Sequence, residues 1–234
     1  MAEIKTQVLL FAAGYGKRLA PITNITPKPL VEIGSTTLIE RIITQLKQAH
    51  LDNIVINVSH LKDKIIDHLG DGSQYGVNIK YSEESPTPKE TAGAIIYALE
   101  QKLLQPETQL ITVNADIYTN FPFAELKYKK TESAHLVMVK NPGHNLQGDF
   151  SCINNIIGDR ANKYTYSGIG VFSPNFILNN YSSNKLGKII HDSLKSHTIT
   201  GEVFNGTWHD IGSIDRLHQL RKNLKQKSIE SWVI

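Results

Sequence analysis

At 234 residues and 40% hydrophobic, the chain can bury one good core, alone or with a smaller lobe, and is too short for a large assembly. A net charge of +3, dispersed and without a ladder of basic and aromatic residues, excludes a nucleic-acid footprint and points to small anionic ligands. The single cysteine, Cys152, excludes an intramolecular disulfide framework; with neither a leader-like start nor a long apolar span, the sequence predicts a cytoplasmic protein off the membrane, with Cys152 packed in a strand as a small apolar residue.

The first element is an apolar strand, Val8 to Phe11, of the kind buried on both faces of a parallel sheet. Ala12, Ala13, Gly14 and Gly16 remove bulk where it ends, so backbone N–H groups can approach a ligand closely. Lys17 and Arg18 add positive charge, and Pro27 and Pro29 restrict the backbone on both sides of Lys28. In this order the features describe a triphosphate cradle. Taken singly, each has a plainer reading: the Gly-x-Gly is a tight strand-to-helix turn, the Lys17-Arg18 pair a solvated face, and Lys28 a loop lysine. The dinucleotide fingerprint is excluded because Leu19 occupies its third glycine position, and the Walker pattern because Gly-Lys-Ser/Thr is absent at the required spacing.

Strand-like and helix-like segments then alternate over the first ~140 residues, the pattern of a doubly wound sheet. Thr37 to His50 carries Ile39, Ile42, Ile43 and Leu46 at helical spacing, Asn53 to Val58 is a second buried strand, and Leu61, Ile65, Ile66 and Leu69 form another helical stripe ended by Gly70. Val77 to Tyr81 is a short strand. A proline-punctuated loop from Glu83 leads into Glu90-Thr91-Ala92-Gly93, followed by Ile95, Ile96 and Leu99 as a helical stripe. Here two readings stand side by side. Small residues at the helix start let a base or ribose lie on its backbone, with Gly93 as the contact; alternatively Thr91 is a simple N-cap and Ala92 and Gly93 serve packing. Gln109 to Val113 is the next strand, ending at Asn114-Ala115-Asp116. Ligands of open parallel sheets sit beyond the carboxyl ends of the strands, which places Asp116 on the side of Gly14 and Lys28. A carboxylate there is either a turn former or a ligand of Mg2+, which takes oxygen donors from one or two carboxylates plus phosphates and water.

After the strand Ala134 to Lys140 the alternation gives way to strands. Asn141 to Asn145 is a loop, and Phe150 to Ile157 and Tyr164 to Phe172 are β segments separated by Gly158-Asp159-Arg160. Residues ~141 to ~212 are expected to form a β lobe added to the edge of a 1–140 core, all within one domain. Ser213 caps a C-terminal helix, 213–234, with Ile214, Leu217, Leu220 and Leu224 on its apolar face and Arg221, Lys222, Lys225 and Lys227 on a solvated one. No histidine forms a convincing pair with a carboxylate, and His209 reads as a polar neighbour of Asp210.

Val8 to Leu30 resembles the signature of sugar-1-phosphate nucleotidyltransferases, L-A-A-G-x-G-x-R-L-x-P-x-T-x-x-x-P-K-P-L, with Phe11 replacing the leucine. The resemblance implies a Rossmann-like, doubly wound mixed sheet with a small sugar-binding lobe. It implies that Ala12, Ala13, Gly14, Gly16, Arg18 and Lys28 hold a nucleoside triphosphate, and that Gly93 touches its base. Ser167-Gly168-Ile169-Gly170-Val171-Phe172 is similar to the segment lining the family's sugar site, and Trp208-His209-Asp210-Ile211-Gly212-Ser213 to the segment whose aspartate gives Mg2+ a second carboxylate. Asp116 and Asp210 are thereby the implied metal ligands and, with Arg18 and Lys28, the catalytic set; Asn114, Asp149 and Gly168 are implied sugar-phosphate contacts. The run Asn141-Pro142-x-His144-Asn145-x-x-Gly148-Asp149-Phe150 is similar to the muramate branch of the family, implying UTP and N-acetylmuramate α-1-phosphate as substrates; the chain is expected to act as a monomer. A Glu-Lys-Pro motif common among relatives is missing, and Lys163 near its place carries no implied role. Guanylyl or thymidylyl transfer to a hexose 1-phosphate, cytidylyl transfer to phosphocholine, and a nucleotide-sugar-binding regulator without turnover are the alternatives.

Overall fold

The computed structural model describes residues 5–230, and side chains as far as residue 226, so Lys227 falls outside the described side chains. Strand β1 (Thr6–Phe11) runs into a loop built from three short 3-10 turns, Lys17–Leu19, Ile22–Asn24 and Lys28–Leu30. A small antiparallel pair follows, β2 (Glu32–Ile33) with β3 (Thr36–Thr37), and then helix α1 (Leu38–Gln48). β4 (Asn53–Val58), α2 (Lys62–Leu69), β5 (Asn78–Glu83), α3 (Glu90–Glu100) and β6 (Gln109–Asn114) continue the alternation, and β7 (Ile117–Thr119) leaves the main sheet. Next come β8 (Ala134–Val139), β9 (Phe150–Ile153), β10 (Ile156–Gly158) and β11 (Lys163–Phe172). The chain closes with α4 (Pro174–Asn179), α5 (Leu186–Ser193), β12 (Thr200–Phe204), β13 (Trp208–Asp210) and α6 (Ile214–Glu230).

Nine strands form one mixed sheet in the order β5-β4-β1-β6-β11-β8-β12-β10-β9. β5, β4, β1 and β6 are parallel; β11 is antiparallel to both β6 and β8, and β12 is parallel to β8. Side chains alternate across the strands and meet helices on both faces. Val8 and Leu10 join the core under α1 and α2, with Ile39, Ile43 and Ile65, whereas Leu9 joins the core under α3, α4 and α5, with Ile95, Phe176 and Ile189. A third cluster packs Leu217 and Leu220 of α6 onto Leu19, Val31 and Ile33, and so clamps the loop after β1 under the C-terminal helix. Each such fully buried aliphatic side chain contributes about 1.5–3 kcal/mol relative to exposure. Among the described residues no helix is long and apolar enough to cross a membrane.

Several local expectations are corrected. Only β9 and β10 of the 141–212 region lie at the sheet edge; β11 is inserted between β6 and β8, inside the sheet. Phe150 to Ile157 is not one strand, because Asn154 and Asn155 both take positive φ (50° and 61°) and turn it into the β9–β10 hairpin, a conformation that asparagine tolerates. Thr91 is not the N-cap of α3. The helix begins at Glu90, and the Thr91 hydroxyl instead accepts from the Leu186 N–H at 2.9 Å, tying α3 to α5. Cys152 is half-buried in β9, and burial followed by the nearby Glu202 charge pushes its thiol up, keeping it protonated and inert.

Candidate active site

A cavity of about 450 Å³ opens beyond the carboxyl ends of β1, β4 and β6. Its wall includes Ala12, Ala13, Gly14, Lys28, Asn114 and Asp116, six of the residues expected there. Position follows from register: Phe11 at the end of β1 is paired with Asn57 of β4 and Asn114 of β6, so the residues just beyond all three arrive at one rim.

The loop after β1 is shaped by Gly16. At φ 64° it takes the left-handed conformation, and a Cβ there would lie 2.8 Å from the Thr23 methyl and 3.3 Å from Lys28 Cβ. Thr23 Oγ1 also donates to the Gly16 carbonyl at 2.9 Å. Gly16 therefore serves close packing that brings Lys28 inward, whereas Gly14 has open space around it and faces the cavity. Arg18 is exposed and does not line the cavity wall.

Polar groups not singled out in the sequence build the other wall. Asn57 Oδ1 accepts from the Ala12 N–H at 2.8 Å, so that amide is committed within the protein. Asn57 Nδ2 donates to Glu84 Oε1 at 2.9 Å, and Glu84 Oε2 accepts from the Lys89 N–H at 2.7 Å. Both side chains are buried. Burial pushes the Glu84 carboxyl up against the pull of these two hydrogen bonds and the Lys89 charge. Thr87, Pro88, Glu90 and Thr91 complete this side, while Gly93 sits behind it, its N–H 3.2 Å from the Asn184 carbonyl. One signal was available: Asn57 is the polar residue at the carboxyl end of an apolar strand, where a ligand-facing group belongs.

Lys28 Nζ forms an ion pair with Asp116 Oδ2 on the cavity wall. Asp210 arrives on the adjacent strand: β13 pairs with β7, placing Asp210 opposite Ile117, and the Ile211 N–H donates to the Asp116 carbonyl at 2.9 Å. The two aspartates thus lie at neighbouring positions, but Asp210 faces a second cavity. There Arg216 Nη1 donates to Asp210 Oδ1 and Oδ2 at 2.6 and 2.5 Å, and His144 Nε2 lies 3.1 Å from Oδ1. The sequence offered no His–carboxylate pairing; the fold makes this one from residues 66 positions apart, and others away from the cavities at His68–Glu40 and His135–Glu202. Ala115 points into the apolar core and does not narrow the space beside Asp116.

Beside Asn114, Gly168 has φ 80° at a bulge in β11, and a Cβ there would lie 2.4 Å from Asn114 Nδ2. Glycine is required for this strand to touch the cavity-lining asparagine. Asp149 is spent on structure, accepting from the Tyr166 N–H at 2.8 Å and from Asn145 Nδ2 at 3.2 Å, and it does not line the cavity. Lys163 is ion-paired with Asp159.

The donor set suits Mg2+ in type, since carboxylates from neighbouring strand ends can share a hard ion with phosphate and water. Among the described residues no group of three or more His, Cys, Asp or Glu gathers as a ready cage. Asp116 and Asp210 are each neutralised by a side chain, Lys28 and Arg216, so a cation held by both carboxylates must compete with those ion pairs.

A family model described as Nucleotidyl transferase matches residues 7–154. An N-acetylmuramate alpha-1-phosphate uridylyltransferase from Neisseria meningitidis serogroup B is 36% identical over 224 residues, spanning 91% of this chain and 96% of that protein. A mannose-1-phosphate guanyltransferase from Yarrowia lipolytica is 36% identical over 133 residues, or 56% of this chain and 36% of that protein. A crystal structure assigned as a glucose-1-phosphate thymidylyltransferase from Bacillus anthracis shares the fold, with a TM-score of 0.79 at 20% identity over 93% of this chain and 94% of that one. HddC from Yersinia pseudotuberculosis does so with a TM-score of 0.73 at 21% identity, over 94% and 99%.

Proposed function

This chain belongs to the sugar-1-phosphate nucleotidyltransferase family, and from that premise we propose that it joins UTP to N-acetylmuramate α-1-phosphate, releasing UDP-N-acetylmuramate and pyrophosphate. The observation that carries the choice of substrates is the similarity to the Neisseria uridylyltransferase over nearly the whole of both chains; the guanyltransferase from Yarrowia is matched over little more than a third of its length. In this reading the enzyme works in the cytoplasm, in the recycling of peptidoglycan sugars.

The reaction brings two polyanions together, so charge is its main obstacle. A phosphate monoester has its second pKa near ~6 and is already ionised at neutral pH, so its oxygen attacks the α-phosphorus without a general base. Lys28 supports this reading because its ammonium stands on the cavity wall, held there by Asp116. It neutralises charge on the triphosphate and on the departing pyrophosphate, aided by loop amides around Gly14; Arg18, exposed on the same loop, adds positive charge. Asp116 and Asp210 would hold Mg2+, which when bound supplies further neutralisation of phosphate charge. Asn114, pressed onto Gly168, orients the sugar phosphate.

The test is pyrophosphate release, coupled to a pyrophosphatase, over the four main nucleoside triphosphates and several sugar 1-phosphates. Turnover confined to UTP with N-acetylmuramate 1-phosphate is the expected result. Turnover with another pair reassigns the substrates, and no release with any pair leaves a binding protein. Asp116→Asn is expected to lower kcat about a hundredfold or more with an unchanged circular dichroism spectrum; full activity would remove Asp116 from the mechanism.

A further inference from the structure

Arg216 is poised over a carboxylate, and the sugar proposed above brings one of its own. N-acetylmuramate differs from N-acetylglucosamine by a lactyl ether, whose carboxylate needs a cation placed away from the reacting phosphate. We infer that Arg216 grips that carboxylate and so sets the sugar specificity of the enzyme, an inference that rests on the proposed reaction.

Four observations carry it. First, position separates Arg216 from the other cations: it lines the compartment that holds Asp210, whereas Lys28 lines the first cavity and neither Lys163 nor Arg18 lines either one. Second, Arg216 already binds a carboxylate, with Nη1 on both oxygens of Asp210 and Nε 3.4 Å from Ser213 Oγ. Its Nη2 end lies over Gly212, where a Cβ would come within 2.0 Å, so the missing side chain is what makes room for the guanidinium. Third, Arg216 faces a cavity of about 490 Å³ whose wall also includes Pro142, Gly143, His144, Trp208 and Asp210. This compartment borders the reaction site, because Asp210 belongs to it and the next residue is hydrogen-bonded to Asp116. Fourth, Trp208 joins the compartment to the sugar-side strand: its Nε1 donates to the Ser167 carbonyl at 3.0 Å, one residue before Gly168. A sugar resting against Asn114 and Gly168 thus has a guanidinium within the neighbouring compartment. Asp210 occupies the place of the substrate carboxylate in the free protein, and the incoming lactyl group exchanges with it or shares the same fork.

The experiment compares kcat/KM for N-acetylmuramate 1-phosphate with that for N-acetylglucosamine 1-phosphate, both with UTP, in the wild type, Arg216→Ala and Arg216→Lys. The two sugars differ only in the lactyl ether, so their ratio isolates recognition of the carboxylate. Arg216→Ala is expected to lower the muramate preference about ten- to a hundredfold, chiefly through KM, the effect of losing a charge-assisted pair. Arg216→Lys is expected to restore part of it, since an ammonium keeps the charge but loses the planar fork. If Arg216 merely held Asp210 in place, both sugars would slow alike and the ratio would stay where it was; that result overturns the inference while leaving the reaction standing. A wild type that does not turn over the muramate substrate overturns both. Turnover of either sugar by the variants reports folded protein, and a variant inactive on both is assayed by calorimetric titration with N-acetylmuramate 1-phosphate, where wild-type affinity would equally overturn the inference.

Discussion

Asn57 has no chemistry of its own, yet the cavity wall that the proposed function assigns to the nucleotide hangs on its amide. It accepts from Ala12 and donates to Glu84, joining the end of β1 to the loop before α3 across 2.8 and 2.9 Å. Asn57→Ala leaves a buried N–H and a buried carboxylate oxygen without partners, which costs about 1–3 kcal/mol for each unsatisfied group. The expected outcome is a lowered urea midpoint together with a raised KM for UTP and little change in KM for the sugar phosphate; equal rises in both would show that Asn57 supports the whole fold and not the nucleotide wall. Asp116 and Asn114 were legible because charge and polarity interrupt an apolar pattern at the end of β6, and Lys28 because Pro27 and Pro29 restrict the backbone on both sides of it. Arg216 and His144 were not, because their meeting at Asp210 depends on how β13 and the 141–149 loop are folded back, which no local pattern encodes.

Among the elements, α1 is the one whose start is best defined. Thr37 and Glu40 exchange hydrogen bonds at 3.3 and 2.7 Å, a reciprocal cap that satisfies two N–H groups at the helix start. Burial pushes the Glu40 carboxyl up, but bonds from the Thr37 backbone and hydroxyl, Tyr75 and His68 outweigh it and hold the carboxyl at about 2. A carboxyl below its unfolded value of 4.5 stabilises the fold above that pH, and the contribution is lost as pH falls from about 4.5 toward 2. Thr37→Ala is expected to cost about 1 kcal/mol in urea unfolding at neutral pH. The difference from wild type should shrink as the pH is lowered through that range; a constant difference would separate the cap from Glu40. The longer strands and the helices with a clear apolar stripe were legible because that periodicity is decided locally. The β9–β10 turn was not, since it rests on two asparagines in a left-handed conformation, nor was α4, whose six residues are too few for periodicity to stand out.

Taken whole, the molecule joins the regions before and after residue 140 through hydrogen bonds inside one sheet and not through a hinge. The sequence changes character near residue 140, from alternating strands and helices to strands, and this suggested an added lobe. β11 crosses that boundary: residues 169–172 pair with β6 on one side and with β8 on the other, and β12 pairs with β8 beyond it. The core under α3, α4 and α5 likewise mixes Leu9, Ile95 and Leu110 from before the boundary with Phe172, Phe176 and Ile189 from after it. Removing the later portion would strip β6 and β8 of their shared partner and expose an apolar face, so neither portion has a complete core. The expected outcome is one thermal transition in scanning calorimetry, with a calorimetric enthalpy equal to the van't Hoff value. UTP should raise the midpoint of that single transition as a unit, by mass action on the folded state. Two resolved transitions, only one of them moved by UTP, would mean that the boundary near residue 140 is a thermodynamic one after all and that β11 is a weak seam between two folding units.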